Sequence, residues 1–397
     1  KPDYPGQPDV TRCIGIVTTA RSEYGIYRPV LHALSRSPGV AFGLYVGGMH
    51  LSDRHGHTVD EIVAEGWPII ARVAIPVVGD TPEKMAHSMG MGTAAMGAAL
   101  ALERPDILLV LGDRFEMFAA AMAAVPFSIP LAHIHGGELT LGAMDDAFRH
   151  CLTKLSHLHF PATAAYGRRI MQMGEEPWRV TVAGAPALDA FMTEDALPDA
   201  VVAERLGFAL DDAPALVTLH SETRGHVPPS LLADRTITAL ADLPCPIIIT
   251  APNADPGGAE IAEKLKHFAA GRARTVYVES LGARAYRTIL ARARVMIGNS
   301  SSGLIEAASF RLPVVNIGER QAGRVRAANV IDTPADTAAI EKAVARAESD
   351  AFRATLSGLV NPYGDGHASA RIVSVLRDVP LDMRLMTKRF HDLEALS

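Results

Sequence analysis

The 397-residue sequence predicts an α/β protein built from two doubly wound, Rossmann-type halves. Three observations predict it. Short runs rich in β-branched residues and Leu alternate with stretches of helical periodicity. Those runs are apolar on consecutive residues, the mark of parallel strands covered on both faces. The alternation stops at a polar, Pro- and Asp-containing stretch, Thr193–Ala213, and then restarts. Each half is then of ordinary domain size.

The elements follow in order. Lys1–Val10 is Pro- and Gly-rich and reads as a frayed terminus. In the first half, residues 11–195, strands are expected at Cys13–Thr18, Val40–Val46, Ile107–Leu111, Ile129–Ile134 and Val180–Ala183. Helices are expected at Gly25–Ser35, Thr58–Glu65, Pro82–Glu103, Glu116–Ala124, Asp145–Leu155 and Ala164–Met173. In the second half, residues 196–375, strands are expected at Ala215–Leu219, Ile247–Thr250, Val276–Val278, Val295–Ile297 and Pro313–Ile317. Helices fill Ser230–Leu240, Gly258–Phe268, Ala283–Ala293 and Gly303–Ser309. After the turn Asn361–Gly366, His367–Leu376 reads as a helix. Residues 376–397 form a tail whose amphipathic segment is placed to cross back to the first half. In such folds ligands bind at the carboxyl ends of the strands, and here the cleft between the halves is the expected place.

Composition narrows the function. With 38 basic against 44 acidic residues the net charge is −6, so a general nucleic-acid binder is disfavoured. The apolar runs are interrupted: Ala94–Leu102 stops at Glu103, and Phe118–Ala132 contains Pro126 and Pro130. A membrane span needs roughly 20 uninterrupted apolar residues, so no membrane partner is expected. The start lacks a basic segment followed by an apolar one, as a secretory leader would show. Cys13, Cys151 and Cys245 lie far apart without a CxxC, which fits a reducing cytoplasm and predicts neither a disulfide framework nor a zinc site. Five histidines fall between His133 and His159, but in no zinc-like spacing.

Five constellations carry the chemistry. Asp113 and Arg114 follow the apolar run Ile107–Leu111 directly and precede a helix, where an Asp is either a site residue or a cap worth about 1 kcal/mol. His135 and Glu138 project from a turn whose Gly136 and Gly137 let backbone approach a ligand. Asp145 and Arg149 share a helical face, as do Asp146 and His150; a plain i,i+4 pair contributes only about 0.2–0.5 kcal/mol. Carboxylates gathered at consecutive strand ends raise one another's pKa, which suits acid–base work. Ser300, Ser301, Ser302 and Gly303 open a helix after a strand, an expected anion site, and Glu306 follows to reach a ribose. The alternative there is a serine-capped turn. Arg320 and Arg324 are candidates for a diphosphate, or solvated surface charges. His220, Asn253 and Asp255 occupy strand ends of the second half, where a lone His is by itself weak evidence.

In this order the segments resemble the hydrolysing UDP-N-acetylglucosamine 2-epimerase family, including its UDP-N,N'-diacetylbacillosamine branch. The matching pieces are Thr19–Gly25, Gly48–Leu51, Leu111–Glu116, His133–Glu138, Asp145-Asp146 with Arg149-His150, Thr153–His159, Gly298–Gly303, Asn316–Arg324 and Asn361–Gly366. Non-hydrolysing sister enzymes carry Gly-Asp-Thr where this chain has Gly112-Asp113-Arg114, and His-Arg-Arg-Glu where it has His220-Ser221-Glu222-Thr223.

The resemblance implies a GT-B-like fold and no cofactor. It also implies a reaction in which UDP is eliminated across C1–C2 of a UDP-2-acetamido sugar and water adds to the glycal. UDP-N-acetylglucosamine is the first substrate it suggests, giving N-acetylmannosamine for sialic acid synthesis. The alternative is UDP-2,4-diacetamido-2,4,6-trideoxyglucose, en route to legionaminic acid. Asp113 and Asp145 become acid–base groups and His220 serves the diphosphate or leaving group. The serines, Gly303, Glu306 and Arg320 hold the nucleotide, with Arg114, Asn253 and Asp255 also binding substrate; Arg21 reaches the diphosphate, and the pocket near Gly48–Ser52, with His50, and His133–Leu141 discriminates the sugar. Several relatives carry a glutamate where this chain has His135, so the third acid–base role falls to His135 or Glu138. A homodimer or homotetramer is implied. The rivals are a GT-B glycosyltransferase, which would transfer the sugar without exchange at C2, and a nucleotide-sugar sensor, which would bind without turnover.

Overall fold

A computed structural model describes residues 12–53, 56–76, 81–140, 144–193, 195–222, 227–253 and 256–393. The expected frayed start and Asp255 lie outside the described residues. By contact the chain divides into two units, Lys1–Asp189 with Gly366–Ser397, and Ala190–Asp365.

The first unit holds a six-stranded sheet. Its strands are β1 Arg12–Thr18, β2 Val40–Gly47, β3 Ile69–Val73, β4 Ile107–Leu111, β5 Leu131–Ile134 and β6 Leu158–Phe160. Their order is β3-β2-β1-β4-β5-β6, and all pairings are parallel. Consecutive apolar residues make sense here: every side chain of β2 and β4 is buried, because helices cover both faces. Ile14, Ile16, Leu108 and Leu109 have no exposed surface. Each such side chain contributes roughly 1.5–3 kcal/mol on leaving water.

The second unit repeats the plan. Its strands are β7 Ala215–Thr218, β8 Ile247–Thr250, β9 Thr275–Val278, β10 Val295–Gly298, β11 Val314–Ile317 and β12 Val330–Thr333. The order is β12-β11-β10-β7-β8-β9, again parallel throughout. Counting strands within each unit, the two sheets share one topology, that of the doubly wound dinucleotide fold. In each, the order reverses between the first and fourth strands: β1 and β4 in one unit, β7 and β10 in the other.

Several elements differ from expectation. The helix expected at Gly25 begins at Arg21, because the Glu23 carboxylate accepts from Thr19 N–H (2.8 Å) and Ala20 N–H (3.2 Å), satisfying donors ahead of the first turn. The edge strands β3, β6 and β12 escaped the pattern. The expected strand Val180–Ala183 reduces to a single bridge, Val180 to His159. The expected connection holds a helix, Asp199–Leu206, ended by Gly207 at φ 76°. The expected second half runs to 375, whereas contacts return the chain to the first unit at Gly366. The helix Ala368–Asp378 packs on the helix Arg21–Ser35. Among the described residues, the tail's amphipathic segment is helical only at Met383–Met386. Arg179 holds it by donating to the carbonyls of Arg384, Leu385 and Thr387.

Candidate functional site

At the switch point of the first unit, Gly112 takes φ 73° and turns the chain out of β4. Asp113 comes next. Its carboxylate accepts a hydrogen bond from Arg149, a buried arginine of the helix Met144–Leu155. Arg149 also donates to the Thr140 hydroxyl (2.9 Å) and lies 3.6 Å from Asp146. Asp145 heads the same helix beside them. Burial raises its carboxyl above the usual range and the neighbouring charge of Asp113 adds to this, against Arg114 and Arg149. The face sharing expected within the helix holds for Asp146 and His150, 3.4 Å apart. Arg149 instead bridges to Asp113 on another element, which helical spacing alone does not reveal.

The turn after β5 carries a second pair. His135 is a non-glycine residue at φ 62°, and its Nδ1 lies 2.6 Å from Glu138 Oε1. The ring is thereby oriented with Nδ1–H toward the carboxylate. Gly137 is required: at φ 78°, a Cβ would sit 2.4 Å from the Tyr166 carbonyl. Below, His133 is fully buried against the Gly112 carbonyl (2.8 Å), and burial drops its pKa to about 3. It is a neutral support.

Three of the expected site residues are engaged within this unit. His50 has no exposed surface; Thr18 (3.0 Å) and Thr58 (2.7 Å) occupy its two ring nitrogens, so it braces the loop. Arg21 is exposed and paired with Glu61 at 3.1 Å. Arg114 is engaged by Glu116 (3.0 Å) and Glu23 (3.7 Å), both buried. Neither glutamate was singled out by the sequence reading; the signal lay in two acidic residues on otherwise apolar helix faces.

The second unit's switch point is built from amides and hydroxyls. Asn299 follows Gly298, and its fully buried side chain joins β10 to the end of β7. Its Oδ1 accepts from His220 N–H (2.7 Å) and its Nδ2 donates to the His220 carbonyl (2.9 Å). Asn253 N–H donates to His220 Nδ1 (3.0 Å). With Nδ1 accepting, the ring proton sits on Nε2, which makes that atom a donor. Arg320 Nη1 and Gln321 Nε2 approach the Asn299 carbonyl at 3.4 and 2.8 Å, and Glu222 accepts from the N–H groups of Glu319 (3.0 Å) and Arg320 (3.2 Å).

The serine segment corrects two further expectations. The helix it opens is a single turn, Ser302–Ile305, followed by a 3₁₀ turn, so little helix dipole backs an anion there. Gly303 serves packing: a Cβ would sit 2.9 Å from Val314 Cγ1. Ser300 Oγ accepts from Ser302 N–H at 3.3 Å, and Ser301 caps the turn with its backbone alone. Ser302 links Tyr286 (2.7 Å) to Glu306, whose carboxyl is raised by burial against the Ser302 hydrogen bond.

Comparison with known proteins agrees with this frame. The family model described as UDP-N-acetylglucosamine 2-epimerase matches residues 32–377. The chain is 36% identical to the Legionella pneumophila UDP-N,N'-diacetylbacillosamine 2-epimerase (hydrolyzing), over 95% of this chain and 98% of that protein. It is 33% identical to the Campylobacter jejuni GDP/UDP-N,N'-diacetylbacillosamine 2-epimerase (hydrolyzing), over 96% and 99%. Among solved structures, the S. aureus MnaA–UDP complex superposes with a TM-score of 0.77 at 20% identity, over 96% of this chain and 100% of that one. The last likeness concerns fold, and agrees with the GT-B-like reading of two Rossmann-type units. With the family model spanning most of both units and two relatives matching nearly end to end, this chain belongs to the UDP-N-acetylglucosamine 2-epimerase family.

Proposed function

We propose that the protein is a hydrolysing 2-epimerase of a UDP-2-acetamido sugar. The carrying observation is the meeting of Asp113, Asp145 and Arg149 at one switch point, with the Asp145 carboxyl raised by burial and by Asp113. A raised carboxyl is a stronger base and titrates nearer neutrality, which suits removal of the weakly acidic C2 proton. As that C–H bond breaks, the C1–O bond to UDP breaks and a glycal forms. Water then adds its oxygen to C1, and a proton returns to the opposite face of C2. His135, oriented by Glu138, takes this second position. In the other unit His220 Nε2–H and Arg320 act on the diphosphate, and Glu306 with Ser302 on the ribose. No redox step occurs, so the chemistry calls for no electron carrier.

For the sugar, the Legionella and Campylobacter relatives support the 2,4-diacetamido-2,4,6-trideoxy substrate, which we place ahead of UDP-N-acetylglucosamine, the sugar placed first by the sequence reading. The description of the family model supports the latter as a second reading. Incubation with each nucleotide sugar in D₂O, followed by NMR, tests both. Consumption of the diacetamido sugar with release of UDP and deuterium at C2 is the expected result. Sugar transfer to an acceptor without deuterium at C2 would replace this reading with a glycosyltransferase.

A further inference from the structure

Beneath Asp145 lies a group of charges that the proposed chemistry leaves unused. Arg114 stands at the head of the helix Phe115–Ala124, one residue after Asp113. Its guanidinium turns back onto Glu116, with Nε 3.3 Å from Oε2 and Nη2 3.0 Å from Oε1. Glu116 has no exposed surface. From the helix Arg21–Ser35, Glu23 reaches the same arginine: its Oε1 lies 3.7 Å from Arg114 Nε and accepts no hydrogen bond among the described residues. Its Oε2 is locked by Thr19 N–H, Thr19 Oγ1 (2.8 Å each) and Ala20 N–H (3.2 Å). Met49 Sδ closes a further side at 3.2 Å.

A paired arginine is ordinarily a good ligand for a diphosphate. This one has buried carboxylates on two sides, and freeing it for a ligand would leave them desolvated and uncompensated. Burial alone would weaken its charge, but Glu116, Glu23 and Asp145 together hold it protonated. Arg114 follows Asp113 in the chain, and its charge bears on the Asp145 carboxyl across that site.

We propose that Glu23 and Glu116 are positioning residues for the epimerase reaction: they clamp Arg114 as a fixed counter-charge to Asp145, so that Arg114 is no diphosphate ligand. This rests on the acid–base reading of Asp145. The charges facing one another here are Glu23, Glu116, Asp113 and Asp145 against Arg114 and Arg149, an excess of carboxylates. Such a site holds a proton at neutral pH, and burial brings Glu23 to about 7 despite Arg114 and Thr19.

The test uses the full-length chain, its UDP-2-acetamido sugar substrate and three variants, Glu116→Gln, Arg114→Lys and Arg114→Gln. Turnover is followed by deuterium entry at C2 across a range of pH. Glu116→Gln is expected to lower kcat by about 10- to 100-fold, since the arginine loses its fork, while KM stays within about twofold. Arg114→Gln removes the counter-charge, so the acid limb of the kcat profile moves to higher pH. Arg114→Lys keeps a positive charge and restores part of the loss. If Glu116→Gln does not fold, the two Arg114 variants carry the test, with thermal melting to show they are folded. A raised KM with unchanged kcat and unchanged pH profile in the Arg114 variants would make Arg114 a substrate ligand and overturn the inference. Wild-type turnover with all three variants behaving like it would overturn the inference alone. Absence of wild-type turnover on either sugar would instead strike the functional reading itself.

Discussion

The two switch points share a backbone plan and differ in chemistry. In each unit the fourth strand ends in a glycine of positive φ, followed by a polar residue that ties down another element. In the first unit that residue is Asp113, bound to the charged Arg149; in the second it is Asn299, bound to the backbone on both sides of His220. One switch point gathers carboxylates whose like charges raise a pKa. The other centres on the Asn299 amide and the His220 ring, with Arg320 and Glu222 beside them, and hydrogen bonds to backbone set its geometry. On the function proposed above, the same strand order carries a proton-moving site in one unit and a ligand-holding site in the other, and the difference lies in a few side chains at the strand ends.

The largest expected effect breaks the comparison at its chemical end. Asp145→Asn removes the proposed base, and C2 exchange should fall by about 10²–10⁴-fold while UDP affinity, measured by calorimetry, is retained. Parallel loss of UDP affinity would mean the two switch points do not divide the work as proposed. Asp113→Asn lifts a like charge and releases Arg149, so the acid limb of the remaining activity should move to lower pH.

The two glycines offer a structural test. A Cβ on Gly298, at φ 134°, would sit 1.9 Å from the Thr218 carbonyl, whereas one on Gly112, at φ 73°, meets nothing within 4 Å. Gly298→Ala is expected to prevent β10 from docking on β7 and to abolish a cooperative thermal transition. Gly112→Ala should cost only the left-handed strain, about 1–2 kcal/mol, in thermal melting.

Next in size, Asn299→Leu keeps the branched side-chain shape but leaves the His220 N–H and carbonyl without their partner, an expected loss of about 1–3 kcal/mol read by urea unfolding. An unchanged midpoint would show the bridge to be dispensable.

The smallest effect separates the acids of the site from a structural one at the edge of the same sheet. Burial alone would raise the Glu175 carboxyl, but His159 (3.0 Å), Lys154 (2.6 Å) and Lys388 (2.8 Å) outweigh it and bring it down to about 2. A depressed folded-state pKa stabilises above the ordinary Glu value near 4.5 and loses that contribution as pH falls toward 2. Glu175→Gln should therefore lower stability at neutral pH and flatten its decline over that window, as followed by circular dichroism.

Much of the fold was legible because its signals are local. Central strands such as β4 show every residue apolar, and Pro82 after Thr81 marks a helix start by its own chemistry. Three of the four edge strands, β3, β6 and β12, were not legible. The apolar run of β3, Ile-Ile-Ala-Arg-Val, is broken by Arg72, and β6 spans three residues, so both runs are short. Of the site, the clustering of acids after β4, at the turn after β5 and at the head of the next helix was visible in sequence order. The engagement of Arg149 by Asp113 and of Arg114 by Glu23 and Glu116 was not, nor the sealing of His50 between two threonines.

By itself the amino-acid order determined most of the central strands and helices and which polar residues stand at strand ends. Those depend on periodicity, caps and turn residues acting over a few positions. The tertiary structure alone decided which charges meet, because ion pairs, burial and the resulting protonation depend on distances between residues far apart in the chain. It buries Asp145 beside Asp113, sets Arg114 against Glu23 and Glu116, and seals His50 between Thr18 and Thr58.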